Sequence, residues 1–286
     1  MISDITLGQF FPGFSPIHKL DPRTKIILAT IFIVSVFLAV NPAGFILISI
    51  VCFTIMLISR ISFKVMLKSL KPIFIILIFT AIINIFMTTG EGEPLWEFWV
   101  IEIYKEGIIR AFLMAYRVVL LILGTSVLLT YTTSPIALTD GLESLLSPLK
   151  LIKVPVHVVA MMMSIALRFI PTLIEETEKI MNAQKSRGAD FSSGGLIKRI
   201  KALIPILIPL FVSSFKRAEE LATAMECRCY RGDKHRTKLV KLTYKPRDFV
   251  FMVLFLVFLG ILITSRILPY NYNVDNLIYN ILFYRV

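Results

Sequence analysis

Two short arginine-containing segments are the residues best suited to chemistry in this sequence. They read Ala183-Gln-Lys-Ser-Arg-Gly-Ala189 and Ala224-Met-Glu-Cys-Arg-Cys-Tyr-Arg-Gly232. Each follows an amphipathic segment, which places Arg187 and Arg228 in the last turn of a predicted helix, 41 positions apart. A guanidinium stays charged and presents a rigid fork of donors that grips a carboxylate with two hydrogen bonds. The repeated ending therefore predicts two plugs for a partner that has two equivalent grooves.

The same arginines have an alternative explanation in helix capping. A cation near a helix C-terminus stabilises the helix by about 0.3–1 kcal/mol through the macrodipole. Gly188 and Gly232 fit the left-handed conformation that often ends a helix. Cys229 disfavours a left-handed cap directly after Arg228, so we expect the second helix to continue toward Gly232. Arg228 and Arg231 are then both candidates for the outermost contact, with Arg228 preferred.

The other reactive residue types form no catalytic or metal-binding pattern. Cys227 and Cys229 make only a Cys-x-Cys pair with His235 as a lone extra, whereas structural zinc usually takes four ligands. The carboxylates at 175–178 are explained by the exposed face of a helix. The sequence has no Gly-x-x-x-x-Gly-Lys-Ser/Thr, so the chain is not expected to cradle ATP phosphates itself. We predict no enzyme activity, no metal site and no cofactor bound by this chain.

Composition indicates an integral membrane protein. Of the 286 residues, 56% are hydrophobic and only 17% are charged, and the mean hydropathy is +0.79. Globular domains are about 45–50% apolar, and a water-soluble protein could not cover the excess found here. The net charge of +12 comes from basic residues between apolar segments. That arrangement favours contact with anionic lipid or an acidic partner over nucleic acid.

Apolar segments that are long enough to cross a membrane lie at 24–40, 43–59, 72–87, 107–131 and 249–265. The intervening loop at 60–71 carries four cations, whereas the loop at 88–106 is acidic. Because basic loops face the cytoplasm and successive loops alternate sides, we expect the N-terminus and the segment 132–247 to be cytoplasmic. The predicted fold is an all-α integral membrane protein with about five transmembrane helices plus long amphipathic helices on the cytoplasmic side.

The predicted domains are 1–131, 132–247 and 248–286. Within the second, the apolar stretches 154–170 and 203–215 are poor lipid spans because they carry Arg168 or paired prolines. They are either shallow membrane helices or long helices beneath the bilayer, and we favour the second. Both continue into apolar stripes with helical spacing, at 173, 174, 177, 180, 181 and 184 and at 210, 211, 214, 215, 218, 221, 222 and 225. The opposite faces carry Glu175, Glu176, Glu178 and Lys179, and Lys216, Arg217, Glu219 and Glu220.

Three further charged residues need an explanation: Arg117 and Arg168 each have two alternative interpretations, and Asp21 has a structural one. Arg117 lies about 15 Å into the fourth apolar segment, where a cation usually marks function; alternatively, it reaches the outer interface. Arg168 precedes Phe-Ile-Pro171 and either bridges the membrane scaffold to a kinked helix or extends toward water. Asp21 is expected to cap the first span, with Pro22 in its first turn.

Several stretches together resemble the transmembrane T component of energy-coupling factor (ECF) transporters, the EcfT/CbiQ family. Gly8-Gln-Phe-Phe-Pro-Gly-Phe-Ser15 and His18-Lys-Leu-Asp-Pro-Arg-Thr-Lys25 are similar to its N-terminal motifs. Thr132-Thr-Ser-Pro135, Leu145-Leu-Ser-Pro-Leu-Lys150 and Leu167-Arg-Phe-Ile-Pro171 follow in the expected order. The two arginine segments resemble the family's two Ala-Arg-Gly-like motifs, with Ser186 replacing Ala in the first. The resemblance extends to about residue 265.

The resemblance implies a scaffold in the plasma membrane of a prokaryote. Its two cytoplasmic coupling helices would insert into two ATP-binding-cassette (ABC) ATPases, which bind ATP and Mg²⁺. A separate membrane-embedded S component would bind the vitamin or transition-metal ion. ATPase contacts are then expected at Ser186, Arg187, Gly188, Cys227, Arg228, Cys229 and Arg231. Contacts with the scaffold or the S component are expected at Arg117, Arg168, Pro171, Leu173, Ile180, Leu221 and Met225.

Two other functions are compatible with a membrane chain. A membrane-embedded enzyme requires converging carboxylates or histidines, and the three histidines show no such spacing. A self-sufficient carrier requires polar residues at mid-membrane and an inverted repeat. The first three spans offer mainly Asn84, and no inverted repeat is evident. The transported nutrient is not encoded in a chain that leaves substrate binding to another subunit.

Overall fold

The computed structural model describes residues 10–88, 96–98, 101–189, 191, 195–232 and 242–267. The described residues form two compact units. The core unit comprises 10–141 and 242–267, and the paired-helix unit comprises the described residues between 142 and 232. The N-terminal lead before residue 10, His235 and the tail after residue 267 lie outside the described residues. The three-part division made from sequence stays a prediction.

Helices dominate the described part of the chain. In chain order the elements are α1 (Pro22–Leu38), α2 (Pro42–Ser59), α3 (Phe63–Leu70), α4 (Phe74–Met87), β1 (Trp96–Phe98), β2 (Ile101–Ile103), α5 (Lys105–Thr125), α6 (Pro135–Leu145), α7 (Val156–Ser186), α8 (Leu196–Cys227) and α9 (Pro246–Ile267). A 3₁₀ turn at Lys71–Ile73 joins α3 to α4, and α5 widens into a π-helical segment at Ser126–Tyr131. A second 3₁₀ segment at Ser147–Ile152 follows α6.

Five helical segments are long and apolar enough to cross a membrane: Pro42–Ser59, Phe63–Met87, Lys105–Tyr131, Val156–Ser186 and Pro246–Ser265. An all-α integral membrane protein with about five such helices is therefore confirmed. Four of the five contain a predicted span. The set differs in two helices, because α1 has only 17 residues whereas α7 has 31. Sequence analysis assigned the apolar part of α7 to a helix beneath the bilayer, but its length and composition also suit a membrane span.

One face of helix α1 is buried in the core unit, whereas Val34 and Phe37 on the opposite side are exposed. The predicted cap is confirmed, because the Arg23 N–H donates to the Asp21 carboxylate at 2.9 Å and Pro22 occupies the first turn. One row of α1 packs among side chains of α2, α5 and α9 and is fully buried, at Leu28, Phe32 and Val36. This burial explains how a helix of about 25 Å, shorter than the roughly 30 Å hydrocarbon core, is accommodated.

Polar contacts tie the start of α1 to two other elements. The Asp248 carboxylate, at the start of α9, accepts hydrogen bonds from the backbone N–H groups of Asp21 (2.8 Å) and Lys245 (2.7 Å). The buried Lys25 ammonium donates to the carbonyl of Thr132 at 2.7 Å, just after the π-helical segment. Distant parts of the chain therefore meet at one end of α1, within the core unit.

The basic loop predicted at 60–71 is mostly a helix in the structure. Helix α3 occupies Phe63–Leu70 and buries Met66, while Lys64 and Lys68 lie four residues apart on its exposed face. The density of cations suggested a loop, whereas the amphipathic spacing of the same residues stabilises a short helix. Pro72 then separates α3 from α4, because it has no N–H to donate within a helix.

A short antiparallel strand pair lies between α4 and α5, and sequence analysis did not predict it. Trp96–Phe98 pairs with Ile101–Ile103, with Glu97 opposite Glu102 in the register. The pair falls within the predicted acidic loop at 88–106. The rest of that loop at 89–95 and 99–100, including Trp99, lies outside the described residues.

Candidate functional site

Both arginine segments lie at the ends of long, uninterrupted helices in the paired-helix unit. Helix α7 has 31 residues and runs through Pro171, and α8 has 32 residues and runs through Pro205 and Pro209. Each proline removes one hydrogen bond from its helix without ending it. The apolar stretches and the amphipathic stripes that sequence analysis treated as successive segments are therefore single rods of about 45 Å.

Helix α7 ends in a Schellman motif, a C-terminal cap closed by two backbone hydrogen bonds around a left-handed residue. Arg187 is the C-cap, and Gly188 follows it with φ +87°. The Gly188 N–H donates to the Lys185 carbonyl at 2.9 Å, and the Ala189 N–H donates to the Gln184 carbonyl at 3.0 Å. The predicted glycine cap of the first helix is confirmed.

Helix α8 ends in the same motif, although no glycine stands at the left-handed position. Arg228 is the C-cap and Cys229 follows it with φ +59°. The Cys229 N–H donates to the Glu226 carbonyl at 2.8 Å, and the Tyr230 N–H donates to the Met225 carbonyl at 3.0 Å. The expectation that the helix continues toward Gly232 was wrong. The two cap hydrogen bonds hold Cys229 in a conformation that its own side chain disfavours.

The two helix ends are equivalent residue by residue at an offset of 41. Arg187 and Arg228 have matching backbone angles, with φ −86° and ψ 6° in the first and φ −91° and ψ 16° in the second. Within the described part of the chain, neither guanidinium is engaged in an ion pair. The predicted ATPase-contact residues at both ends are all exposed: Ser186, Arg187, Gly188, Cys227, Arg228, Cys229 and Arg231. Arg231 lies beyond the motif and has no equivalent in the first segment.

The inward faces of α7 and α8 also repeat at this offset. Eight positions of α7 and their equivalents in α8 are half-buried or buried: 161, 165, 169, 172, 173, 176, 180 and 184, and 202, 206, 210, 213, 214, 217, 221 and 225. Four residues predicted to contact the scaffold or the S component, Leu173, Ile180, Leu221 and Met225, belong to these rows. Arg168 and Pro171 are instead exposed.

The predicted stripe on α8 is divided between two faces. Phe211 and Phe215 are 65% and 61% exposed, whereas Leu210, Ser214, Leu221 and Met225 are half-buried. Arg217, expected on the opposite face, belongs to the half-buried row. Hydropathy alone assigned Arg217 to the solvent-facing side, whereas an acidic partner on α7 holds it at the partly exposed contact between the two helices.

That partner is Glu176, which sequence analysis explained as part of an exposed acidic face. Its carboxylate oxygen Oε2 accepts from Arg217 Nη2 at 2.8 Å, and Oε1 accepts from the Ser213 hydroxyl. The contact joins α7 to α8 and leaves Glu176 half-buried, so the prediction of simple exposure was wrong. The offset of 41 could have revealed the pair, because it relates Glu176 directly to Arg217.

Arg117 contacts the core unit's own backbone. Its Nη2 donates to the carbonyl of Ala39 at 2.7 Å, and its guanidinium carbon lies 5.3 Å from the centre of the Phe45 ring. Ala39 is the C-cap of α1, where carbonyl groups lack helical partners and a cation is favourable. Arg117 therefore fastens the turn between α1 and α2 to α5.

Metal-binding geometry is absent from the described residues, where no three His, Cys, Asp or Glu side chains come together. Cys227 and Cys229 are free and exposed, and Cys52 is free and buried. The arrangement at the helix ends therefore offers hydrogen-bond donors and charge, which are the elements of a binding surface.

Comparison with known proteins identifies the family. The CbiQ family model, described as cobalt transport protein, matches residues 13–239. A Clostridium kluyveri protein named energy-coupling factor transporter transmembrane protein EcfT is 54% identical over 267 residues, which cover 93% of this chain and 98% of that protein. Proteins of the same name from Ruminiclostridium cellulolyticum and Bacillus subtilis strain 168 are 54% and 46% identical, covering 91% and 93% of this chain and 96% and 100% of their own lengths. The chain therefore belongs to the EcfT/CbiQ family, the transmembrane components of energy-coupling factor transporters.

Proposed function

We propose that this chain is the scaffold that couples two ABC ATPases to a substrate-binding S component in an ECF importer. The ends of α7 and α8 each enter a groove of one ATPase, and the chain itself neither binds ATP nor catalyses a reaction. The S component carries a vitamin or a transition-metal ion. The two helices then transmit the movement produced by ATP hydrolysis in the cytoplasm to the S component.

The observation that carries this proposal is the equivalence of the two helix ends. Two copies of one backbone motif present one exposed arginine each, at the same position relative to the cap. A partner with two like subunits offers two like grooves, and each guanidinium can make a bidentate contact with a carboxylate there. Arg228, rather than Arg231, is the residue that this equivalence selects.

Exposed apolar residues on α8 suit contact with the S component or with lipid. Large side chains at 203, 204, 207, 208, 211, 212 and 215 are each at least 44% exposed. Such a contiguous apolar surface requires a covering in the assembled complex. The half-buried Leu173, Ile180, Leu221 and Met225 would pack within the helix pair and transmit its movement.

Reversal of the two arginines tests the proposal. We expect Arg187→Glu or Arg228→Glu to reduce the ATPase retained on the tagged chain about tenfold or more, and the double variant to reduce it further. Removing one partner of a buried, hydrogen-bonded charge pair costs about 2–5 kcal/mol, and each 1.4 kcal/mol is about tenfold in affinity. The measurement is quantitative mass spectrometry of subunits that co-purify from membranes in mild detergent. Arg187→Lys is expected to retain part of the binding, because it keeps the charge but loses the fork.

Lys185→Glu is a matched control. It makes the same change of charge, two residues from Arg187 on the exposed last turn of α7. Its equivalent on α8 is Glu226, so a cation at this position is not a shared feature of the two helix ends. We expect full retention of the ATPases. Unchanged ATPase yield with the double arginine variant, or a purified wild-type chain without any ATPase, would remove the proposed role.

A further inference from the structure

The ion pair between α7 and α8 joins equivalent positions of the two helices. Glu176 and Arg217 are 41 positions apart, the same offset that relates Arg187 to Arg228. The contact therefore joins the same position of the two arginine-ended helices. The half-buried rows repeat at the same offset on either side of this contact. The charged pair thus lies at a contact between α7 and α8 that is equally far along both helices from their arginine ends.

We propose that Glu176 and Arg217, with Ser213, are positioning residues that fix the crossing and thereby set the separation of the two arginine ends. This inference rests on the proposed function, because the separation matters only if both ends engage one partner. None of the three residues belongs to the surface that meets the ATPases. They act through the helices that carry Arg187 and Arg228.

The Glu176–Arg217 pair is equally far from both arginine ends, so a change at the pair affects the positions of both ends. Ten residues separate Glu176 from Ser186, and ten separate Arg217 from Cys227. Each arm is therefore about 15 Å long, and a change of about 20° in the angle between the helices would change the separation of the two ends by up to about 5 Å. Equal arms place the two ends at the same distance from the ion pair, which suits a partner that has two like grooves.

The charges also select one register of the two helices. Arg217 is followed on α8 by the exposed carboxylates of Glu219 and Glu220. A slip of α8 by three residues, about 4.5 Å, would bring Glu220 opposite Glu176 and replace attraction with repulsion. A polar pair within a mainly apolar contact fixes the alignment of the two helices more reliably than it stabilises them. Both oxygens of Glu176 are occupied, by Arg217 and by Ser213, so its orientation is fixed as well.

Distance measurement between the ends tests this inference directly. Position 186 is equivalent to the native Cys227, and both are exposed. Ser186→Cys, in a background of Cys52→Ala and Cys229→Gly, places one spin label at each end of the full chain. Pulsed electron paramagnetic resonance in lipid nanodiscs then gives the distance distribution. We expect Glu176→Arg or Arg217→Glu to broaden or shift it by several ångströms, and the charge-swapped double variant to restore it.

Neighbouring charges provide the matched control. Glu175 and Lys216 are also 41 positions apart, but both are exposed, and neither makes an ion pair in the described part of the chain. Glu175→Arg and Lys216→Glu should leave the distribution unchanged. The inference is overturned if the distance distributions of Glu176→Arg and Arg217→Glu match that of the parent. It is also overturned if the distribution of the charge-swapped double variant is as broad as those of the single variants. Arg187→Glu/Arg228→Glu should keep the parental distances, so failure of the proposed function would be seen separately in ATPase retention.

Discussion

At the scale of single residues, Cys229 shows how a backbone motif can override side-chain preference. The left-handed region disfavours a residue with a Cβ by about 1–2 kcal/mol, yet Cys229 occupies it at φ +59°. The two hydrogen bonds of the cap offset this cost, and they match those at Gly188. The backbone of Arg228 is therefore placed like that of Arg187 even though the following residues differ.

Substitution at the two left-handed positions should change the local stability of the helix ends in opposite directions. We expect Cys229→Gly to slow amide exchange in the last turn of α8, and Gly188→Ala to accelerate it in the last turn of α7. About 1 kcal/mol of strain is relieved or introduced, which is about fivefold in protection. A Cβ at Gly188 meets nothing within 4 Å, so its cost arises from φ alone. Hydrogen–deuterium exchange mass spectrometry measures both effects, and equal exchange in Cys229→Gly and wild type would refute the strain.

At the scale of elements, close helix packing in the core unit depends on one glycine of α5. A Cβ built on Gly124 would lie 2.2 Å from Cε1 of Phe32, whose ring is fully buried in α1. Glycine is needed here because the ring of α1 occupies the space of a side chain on α5. The contact explains how the buried face of α1 packs so closely against α5.

Gly124→Ala should therefore destabilise the core unit by about 1–3 kcal/mol, the usual cost of overpacking. The measurement is the thermal unfolding midpoint of the purified chain in detergent, followed by tryptophan fluorescence or light scattering. Gly260→Ala on α9 is the control, because a Cβ there meets nothing within 4 Å and alanine favours a helix. Equal midpoints for Gly124→Ala and Gly260→Ala would contradict the packing argument.

At the scale of the whole molecule, the proposed coupling role requires both arginine ends to lie on the side of the membrane where ATP is available. Positive loops predict that the N-terminus and both ends are cytoplasmic. Helix α7 has the length and composition of a span, and a crossing by α7 would reverse the side on which Arg187 lies. The orientation is therefore the feature on which the coupling role depends.

Native cysteines allow this orientation to be measured. Cys227 and Cys229 are exposed beside Arg228, whereas Cys52 is buried. We expect a membrane-impermeant maleimide to label the chain in inside-out vesicles and to leave it unlabelled in intact cells. Ser186→Cys, in a Cys227→Ser/Cys229→Ser background, reports the other end and should behave in the same way. Labelling of either end in intact cells would place it outside and exclude insertion into cytoplasmic ATPases.

The types and order of the residues alone determined the membrane class, most of the apolar helices and two of the helix caps. The apolar segments predicted the membrane class and four of the helices that suit a span, because lipid requires long runs without charge. The cap at Asp21 and the glycine cap at Gly188 followed from residue type and position. The pair of arginines followed from residue type and spacing, and together with the other motifs it carried the family resemblance.

Only the tertiary structure decided what depends on contacts between distant residues. Hydropathy placed Arg217 on the solvent-facing side of α8. It contains no information about its ion-pair partner, Glu176, which lies on α7 and 41 residues earlier in the chain. The same limit hid the burial of α1 against α5 and α9, and the helical state of the basic segment at 60–71. The left-handed Cys229 was missed because a propensity describes one residue, whereas a cap is a cooperative set of hydrogen bonds. Periodicity shows which face of a helix is apolar. Which other helix packs against that face is decided by the free energy of the contacts between them.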